Sequence, residues 1–211
     1  MELIPVDTQQ AYELIREKIV TLDLAPGASV NEQRLAEELE MGLVPVREAI
    51  KMLAHDHLID LSQQGIYVTD VNMQDLKQIS EIRILTEAFA TRLAAQRATP
   101  DDLVVLEALC REQGKVSSEQ HQNLLDLDHK FHQAIAKAAK NKYLSQTLDH
   151  FFGLSQRLWY LALPQLEFLP AAVGEHLELV EAIKNHDADK AEKMMRSHVQ
   201  GFYDKVAEIL K

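Results

Sequence analysis

Cysteine is nearly absent from this sequence, since Cys110 is the single one among 211 residues. One cysteine can form no internal disulfide and can supply no CxxC zinc motif, which excludes disulfide scaffolds and zinc ribbons. Such low cysteine usage fits a reducing compartment. The sequence therefore predicts a cytoplasmic protein that depends on an apolar core rather than on cross-links.

Long apolar runs are missing as well. No stretch of 18 apolar residues is present, so we expect no membrane-spanning helix. The opening residues, MELIPVDTQQAY, contain no basic segment followed by an apolar one, so no signal peptide is expected. Seven glycines and six prolines leave room for long helices, and 46% hydrophobic with 26% charged residues is typical of a soluble globular protein.

Positive charge is scarce, because 22 Lys and Arg face 33 Asp and Glu and the net charge is −11. This balance argues against a protein that coats nucleic acid nonspecifically, but it allows a small reading domain on an acidic body. Residues 1–70 carry five Lys and Arg against thirteen Asp and Glu, a net charge of −8. DNA binding by this half would therefore depend on few local positive charges and be weak or salt-sensitive.

The first third of the chain has the pattern of a winged helix-turn-helix. Apolar residues at helical spacing in 9–22 predict a first helix, and Asn31 is a good N-cap for a second over 32–39. Pro45 suits the first turn of a third helix, 45–56. Two β-like runs, 58–61 and 66–71, are joined by 62–65 and predict a hairpin. We assign residues 1–71 to this domain.

From Asn72 onward the pattern is helical throughout, which predicts an all-α bundle over 72–211 and a mainly α protein. Thr99 followed by Pro100, Asp101 and Asp102 is a strong helix start, and Asp187 is a good cap for the last helix. The expected helices span 72–97, 100–116, 119–139, 141–162, 170–185 and 187–210.

Four residues of the bundle have the chemistry of metal ligands. Asp128 and His132 are four positions apart, so a helix stacks them on one face, and His176 and His198 lie in later helical patterns. Imidazole and carboxylate together suit Zn, Ni, Mn, Fe or Co. Spacing alone leaves a chance arrangement open, because nine histidines are scattered over the chain.

The strings in both halves resemble a known family. Residues 15–68, with IVTLDLAPGASVNEQRLAEEL, PVREAIKML and HLIDLSQQGIYV, resemble the winged-helix domain of the GntR family of bacterial transcription regulators. The second half, with EIRILTEAFATRLAA and DLDHKFHQAI, resembles the six- or seven-helix FCD ligand-binding domain of the FadR-like branch. The resemblance covers nearly the whole chain.

The resemblance implies a homodimer that binds operator DNA, and the lack of a long apolar run predicts no membrane association. The resemblance also implies a divalent metal ion, with zinc first and nickel, manganese or iron as alternatives. The ligands of that ion fall on Asp128, His132, His176 and His198, and a small organic acid is expected on or beside it. The alternative is that some of these histidines are core or surface residues, paired with backbone groups or with Asp.

Arg83 and Glu87 allow two interpretations. They could form an ordinary surface ion pair one helical turn apart, worth a few tenths of a kcal/mol. The resemblance implies instead that Arg83 faces the effector pocket, where a guanidinium suits a carboxylate through paired charge-assisted hydrogen bonds. Glu87 would then orient the arginine.

The DNA-reading segment departs from the family pattern. Met41-Gly42-Leu43-Val44 stands where the family usually has Val-Ser-Arg-Thr, so hydroxyl groups and an arginine that commonly contact DNA are missing. The remaining expected contacts to base edges or phosphates are Arg47 and Lys51 on the third helix, with Gln64 and Gly65 in the wing.

Three functions compete at this point. The first is a regulator that binds operator DNA as a dimer and responds to a metal-bound organic acid. The second is a metal-dependent carboxylate sensor whose degenerate DNA-binding head acts through a protein partner. The third is a metalloenzyme, since three His and an Asp could activate water. No obvious general base accompanies the set, so we predict that the chain is not an enzyme.

Overall fold

The computed structural model describes residues 5–117, 119–165, 167 and 169–210. These residues divide into two compact units. The first contains the residues up to Asn72 together with Gln156–Tyr160, and the second contains Met73–Ser155 and the residues from Leu161 onward. The predicted fold class, a winged helix-turn-helix followed by an all-α bundle, is confirmed.

The first unit contains three helices and a hairpin: α1 (Val6–Val20), α2 (Glu32–Glu38), α3 (Leu43–His55), β1 (Ile59–Ser62) and β2 (Gly65–Val68). The Asn31 side chain accepts a hydrogen bond from the Arg34 backbone N–H, so the predicted cap of α2 is present. Its core is apolar and buries Ile15, Ile50 and Leu53 almost completely. Burial of such side chains is the main contribution that holds α1 against α3.

The hairpin is tighter than the sequence predicts. The two strands are antiparallel and extend into the segment expected to connect them, where Ser62 pairs with Gly65. The connection is thus reduced to Gln63 and Gln64. Gly65 has a φ of 140°, a conformation that L side chains rarely adopt, and an added Cβ would lie 3.3 Å from the Tyr67 ring. Glycine is therefore required at the wing tip.

The second unit is entirely helical within the described residues. It contains α4 (Met73–Arg97), α5 (Pro100–Gln113), α6 (His121–Ala138), α7 (Lys142–Ala162, whose residues 156–160 group with the first unit), a short 3₁₀ turn (Leu163–Gln165), α8 (Leu169–Gly174), α9 (His176–Lys184) and α10 (Ala188–Ile209). The caps predicted at Thr99 and Asp187 are both present. None of the described helices is long and apolar enough to cross a membrane.

One predicted helix is divided in two. The sequence pattern over 170–185 indicates a single helix, whereas the structure has α8 and α9, separated at Glu175. Apolar periodicity continues across the break, which is why the sequence did not reveal it. The break makes His176 the first residue of α9.

Candidate metal centre and DNA-reading surface

The four predicted metal ligands lie together in the second unit. Asp128 and His132 come from α6, His176 from the start of α9 and His198 from the middle of α10. All four are buried, and one ligand atom of each lies within 4.8 Å of the ligand atoms of the others. Three separate helices thus direct nitrogen and oxygen donors at one small volume.

The distances between donor atoms resemble those around a single ion. The Nε2 atoms of His176 and His198 are 3.3 Å apart. Asp128 Oδ1 lies 3.4 Å from His176 Nε2 and 3.7 Å from His132 Nε2. Four donors at about 2.1 Å from a tetrahedral ion are separated by about 3.4 Å. Most of these contacts therefore match that spacing without rearrangement of the helices.

Each of the three histidines is oriented by an acceptor on its other ring nitrogen. His132 Nδ1 is bonded to Glu87 Oε2, His176 Nδ1 lies 3.0 Å from Gln113 Oε1, and His198 Nδ1 lies 2.9 Å from Glu175 Oε2. An acceptor at Nδ1 holds the proton of a neutral imidazole there and leaves a lone pair on Nε2. Metal-ligating histidines characteristically have such an outer partner.

This arrangement leaves the centre electron-rich and unsatisfied. With the proton of each ring on Nδ1, the lone pairs of His176 and His198 would face each other, and Asp128 Oδ1 is buried without a hydrogen-bond partner among the described residues. A buried polar group without a partner is costly, and a divalent cation would satisfy all four donors. Burial, with His198 and His132 close by, also holds the pKa of His176 well below its usual value, which favours the neutral ligand form. The residues present therefore fit a divalent ion.

Arg83 and Glu87 form a buried pair, so the interpretation as an ordinary surface ion pair is wrong. Their side chains are only 2% and 4% exposed. Arg83 Nε donates to Glu87 Oε1 at 2.6 Å, and Arg83 Nη1 donates to the Tyr203 hydroxyl at 3.1 Å. The guanidinium carbon also lies 4.2 Å from the centre of the Phe152 ring. Burial opposes ionisation of Glu87, but Arg83 and His132 outweigh it and lower the pKa of Glu87 to about 2.

Four further side chains around the site were not predicted from the sequence. Glu175 directly precedes His176, and Tyr203 lies five positions after His198, so proximity along the chain was an available signal for both. Gln113 gave no such signal, because it ends a helix far from the other residues in sequence. Ser155, whose hydroxyl lies 2.7 Å from that of Tyr203, likewise has no recognisable motif.

A cavity of about 320 Å³ lies beside the cluster and reaches Glu87 and His132. Its volume is at the small end of the range for ligand sites in proteins. The lining contains polar and apolar side chains from α4, α6 and α7: Glu87, His132, Gln133, Ala136, Lys137, Ser145, Gln146, Leu148, Asp149 and Phe152. Lys137 offers an ammonium donor to a small polar molecule, whereas the Gln133 amide already donates to Asp149 Oδ1 at 2.6 Å.

The predicted DNA contacts of α3 are exposed but held by acidic neighbours. Arg47 Nε donates to Glu32 Oε2 at 2.9 Å, and Lys51 Nζ lies 2.7 Å from Glu48 Oε1. Both pairs are solvent-exposed and so contribute little to stability. A phosphate or a base edge would have to compete with these carboxylates. At the start of the same helix, Val44 is 70% exposed.

Three hydrogen bonds define the turn of the wing, and each joins a side-chain hydroxyl to a backbone group. The Gln64 backbone N–H donates to the Ser62 hydroxyl oxygen at 3.2 Å, and the Tyr67 hydroxyl donates to the Gln64 carbonyl at 3.2 Å. The Ser62 hydroxyl donates to the carbonyl of Gly65. These bonds give the turn a defined shape and leave the Gln64 side chain exposed at its tip.

Two protein-family models match the chain. The FCD domain model matches residues 78–201, which is more than half of the chain, and the model described as bacterial regulatory proteins, gntR family, matches residues 7–68. Among curated relatives, the HTH-type transcriptional repressor RspR of Escherichia coli K12 is 28% identical over 203 residues, covering 95% of this chain and 89% of RspR.

A second relative is similar both in sequence and in structure. The HTH-type transcriptional regulator McbR of Escherichia coli K12 is 31% identical over 196 residues, covering 86% of this chain and 84% of McbR. The solved structure of E. coli McbR/YncC covers 100% of both chains with a TM-score of 0.85, and identity over that longer superposition is 20%. These families and relatives are transcription regulators, which confirms the prediction that the chain is not an enzyme. The chain belongs to the GntR family of bacterial transcription regulators, and its second half is an FCD domain.

Proposed function

We propose that this protein is a ligand-responsive regulator that works in the cytoplasm, binds operator DNA as a homodimer, and carries a divalent metal centre for a small organic acid. The observation that carries the proposal is the convergence of Asp128 Oδ1 with three histidine Nε2 atoms, each on a ring whose Nδ1 has its own acceptor. A buried cluster of this kind is costly unless a cation satisfies it.

Asp128, His132, His176 and His198 would hold the ion, with zinc first by ligand chemistry and nickel, manganese or iron as alternatives. When bound, the ion supplies a Lewis-acidic position at which a carboxylate can coordinate. Glu87, Gln113 and Glu175 each place an acceptor at the Nδ1 of one of these histidines, which favours the neutral tautomer that leaves Nε2 free for the ion. That preorganisation lowers the cost of binding.

The effector is proposed to be a small carboxylate that occupies the cavity beside His132. The cavity volume of about 320 Å³ suits a compound of few heavy atoms, and Lys137 offers a charged donor at its wall. Arg83 is a second source of positive charge, with its guanidinium bonded to Glu87 and Tyr203. A carboxylate drawn to Arg83 would have to compete with one of these two partners.

A homodimer is part of the proposal, and an exposed stripe on α4 supports it. Ile82, Leu85 and Phe89 lie on one face of the helix and are 40%, 59% and 48% exposed. A two-fold axis at the middle of the stripe would set Ile82 of one copy against Phe89 of the other, which makes the stripe self-complementary. Leu85→Asp is expected to give monomers in sedimentation velocity. Val104→Asp, the same change at an equally exposed position on α5, is expected to leave the dimer intact.

The decisive experiment for DNA reading is selection of bound duplexes from a random pool at low salt, with the metal-loaded protein. A palindromic motif that is lost in Arg47→Ala but kept in Arg111→Ala, a change at an exposed arginine in the second unit, would establish an operator-binding regulator. Loss of selection in Arg47→Ala has a simple physical reason, since this guanidinium is the best base-edge or phosphate contact on α3.

One observation on the first unit, the winged-helix head, favours a second function. Val44 is 70% exposed at the start of α3, and the two cations behind it are paired with Glu32 and Glu48. An apolar tip of this kind suits a protein partner as well as thymine methyl groups. Absence of any enriched motif, from folded protein that still binds metal, would support a carboxylate sensor that acts through a protein partner and would overturn the DNA-reading role.

A further inference from the structure

We propose that Glu87 is a positioning residue that links the metal-binding histidine His132 to Arg83, so that Arg83 decides which ring nitrogen of His132 carries the proton. This inference rests on the proposed metal centre for its functional meaning. Its structural content, the tautomer of one histidine, can be tested in protein that contains no metal.

The geometry of Glu87 differs from that of the other outer partners. Its Oε1 accepts from Arg83 Nε at 2.6 Å and lies 2.5 Å from Arg83 Nη2, while its Oε2 is bonded to His132 Nδ1. Both carboxylate oxygens are therefore used, and the side chain is 4% exposed. One buried carboxylate thus joins a fixed cation to a proposed ligand.

Glu175, the carboxylate bonded to His198, provides a contrast. Glu175 bonds His198 Nδ1 through Oε2 at 2.9 Å, but its side chain is 59% exposed. Water reaches and replaces an exposed acceptor far more readily than the carboxylate of Glu87, which is almost fully buried. The two carboxylates therefore form a matched pair, in which the same bond to a histidine is made with and without a buried arginine.

Arg83 is itself fixed from several sides. Its Nη1 donates to the Tyr203 hydroxyl on α10, and that hydroxyl lies 2.7 Å from Ser155 Oγ on α7. The Ser155 hydroxyl also donates to the Phe151 carbonyl at 2.9 Å, and the guanidinium carbon lies 4.2 Å from the Phe152 ring centre. A guanidinium offers donors alone and never accepts a hydrogen bond. Any group that replaces the Glu87 carboxylate must therefore turn an acceptor towards Arg83.

This constraint gives Glu87→Gln a specific consequence. The amide oxygen must face Arg83, so the amide NH₂ must face His132 Nδ1. Nδ1 then becomes the acceptor, and the proton of the neutral ring moves to Nε2, the atom that faces Asp128 and the proposed ion. The variant thus keeps the size of the side chain and blocks one ligand position. In Glu175→Gln, the amide can turn its oxygen to His198 and its NH₂ to solvent, so the His198 tautomer is unchanged.

The test combines imidazole nitrogen NMR on metal-free protein, at alkaline pH where the rings are neutral, with Zn²⁺ affinity measured against a chromophoric chelator. In the unchanged chain we expect His132 to carry its proton on Nδ1. In Glu87→Gln we expect the proton on Nε2 and a Zn²⁺ affinity reduced by about 10- to 100-fold, the usual effect of losing an outer partner. Glu175→Gln should leave the His198 tautomer unchanged and reduce Zn²⁺ affinity by less than Glu87→Gln does.

A rescue variant tests the role of Arg83. In the double variant Arg83→Met with Glu87→Gln, no donor fixes the amide, so its oxygen can turn to His132. We expect the Nδ1–H tautomer to return and part of the Zn²⁺ affinity with it. A double variant that keeps the Nε2–H tautomer would overturn the role of Arg83. An Nε2–H tautomer in the unchanged chain, which requires no variant to fold, would overturn the proposal as a whole.

The outcomes also separate this inference from the proposed function. If the unchanged chain binds no Zn²⁺ and no other divalent ion, the proposed metal centre fails, while the tautomer measurements still decide whether Glu87 positions His132. If the chain binds Zn²⁺ and Glu87→Gln binds it equally well with an unchanged tautomer, the metal centre stands and the role of Glu87 fails.

Discussion

Two arginine–glutamate pairs, one in each unit, show how burial changes the meaning of the same chemistry. Arg83 and Glu87 lie 2.5 Å apart in the bundle, with side chains 2% and 4% exposed. Arg47 and Glu32 lie 2.9 Å apart in the head, with side chains 49% and 25% exposed. The distances are similar, but one pair is almost fully buried and the other is partly exposed to solvent.

Burial fixes the first pair and leaves the second free to exchange partners. Removing one member of a buried pair leaves a charge without compensation, which costs far more than the pair contributes when it is intact. An exposed pair is screened, and each member can be solvated when the other leaves. Arg83 is therefore suited to hold a site in place, whereas Arg47 is suited to leave Glu32 for a phosphate or a base edge.

The largest expected effect follows from breaking the buried pair. Arg83→Met should lower the free energy of unfolding by about 3–5 kcal/mol, because Glu87 is left buried without its arginine. Arg47→Met, the matched change in the head, should cost no more than about 1 kcal/mol. Denaturant unfolding of both variants measures the difference. Equal costs for the two variants would show that burial does not separate the pairs.

Metal removal should produce the next largest effect, and it should be confined to the bundle. An ion present at 100 to 1,000 times its dissociation constant adds about 3–4 kcal/mol to the stability of the folded state. For a chain of this size that corresponds to a rise in Tm of roughly 6–16 °C. His176→Ala should abolish the rise on Zn²⁺ addition, because it removes a donor from the centre of the cluster.

The control for this experiment is His55→Ala, since His55 lies on α3 in the head. It should retain the full Zn²⁺-dependent rise in Tm. An unchanged rise in His176→Ala would contradict the assignment of His176 as a ligand, and loss of the rise in His55→Ala would mean that the ion binds elsewhere.

The two units also differ in how much of them the sequence predicts. The winged-helix head and the helix starts were predictable from local signals. These signals depend on neighbours within a few residues, as in the Asn31 cap, the Thr99 capping box and the turn before Gly65. Such signals operate through side chain to backbone bonds that are visible in a short string. The same holds for Asp128 and His132, whose common face follows from their spacing on one helix.

Hydrogen-bond partners that lie far apart along the chain could not be predicted from the sequence. Glu87 and His132 meet across two helices, and Gln113 reaches His176 from 63 positions away. No local pattern encodes such a bond, because it depends on how the helices pack. The interpretation of Arg83 and Glu87 as a surface pair failed for this reason, since spacing along one helix does not reveal which face is buried.

An intermediate pair tests whether burial, rather than membership of the bundle, decides the cost. Asp102 accepts from the Thr99 backbone N–H in the capping box and lies 2.6 Å from Lys140 Nζ, with side chains 19% and 44% exposed. Asp102→Asn keeps an oxygen for the Thr99 N–H but removes the charge that pairs with Lys140, and it should cost about 1 kcal/mol. Denaturant unfolding should place it between Arg47→Met and Arg83→Met.

The same carboxylate gives a pH dependence with a defined sign. Burial alone would raise its pKa, but Lys140 and Thr99 lower the pKa of Asp102 to about 2, against about 3.9 in an unfolded chain. The stabilisation is therefore fully present above about pH 4 and is lost as the pH falls towards 2. Stability curves of the unchanged chain and Asp102→Asn should converge over that interval. Parallel curves would contradict the role of Asp102.

The smallest expected effect concerns the exposed pair and its release to DNA. Glu32→Gln frees Arg47 and removes one negative charge from α2, so affinity for a selected operator at low salt should rise. Glu37→Gln is the control, because it removes the same charge from an exposed position of the same helix, whereas the described carboxylate bonded to Arg47 is that of Glu32.

The excess operator affinity of Glu32→Gln over that of Glu37→Gln, expected to be about 1.5- to 5-fold, measures the competition by Glu32 for Arg47. The excess should vanish when Arg47→Ala is added to both variants and should shrink as salt is raised, because both the pair and the phosphate contact are screened. Equal affinities of Glu32→Gln and Glu37→Gln would mean that Arg47 does not leave Glu32 to read DNA, and the two pairs would then differ in cost but not in function.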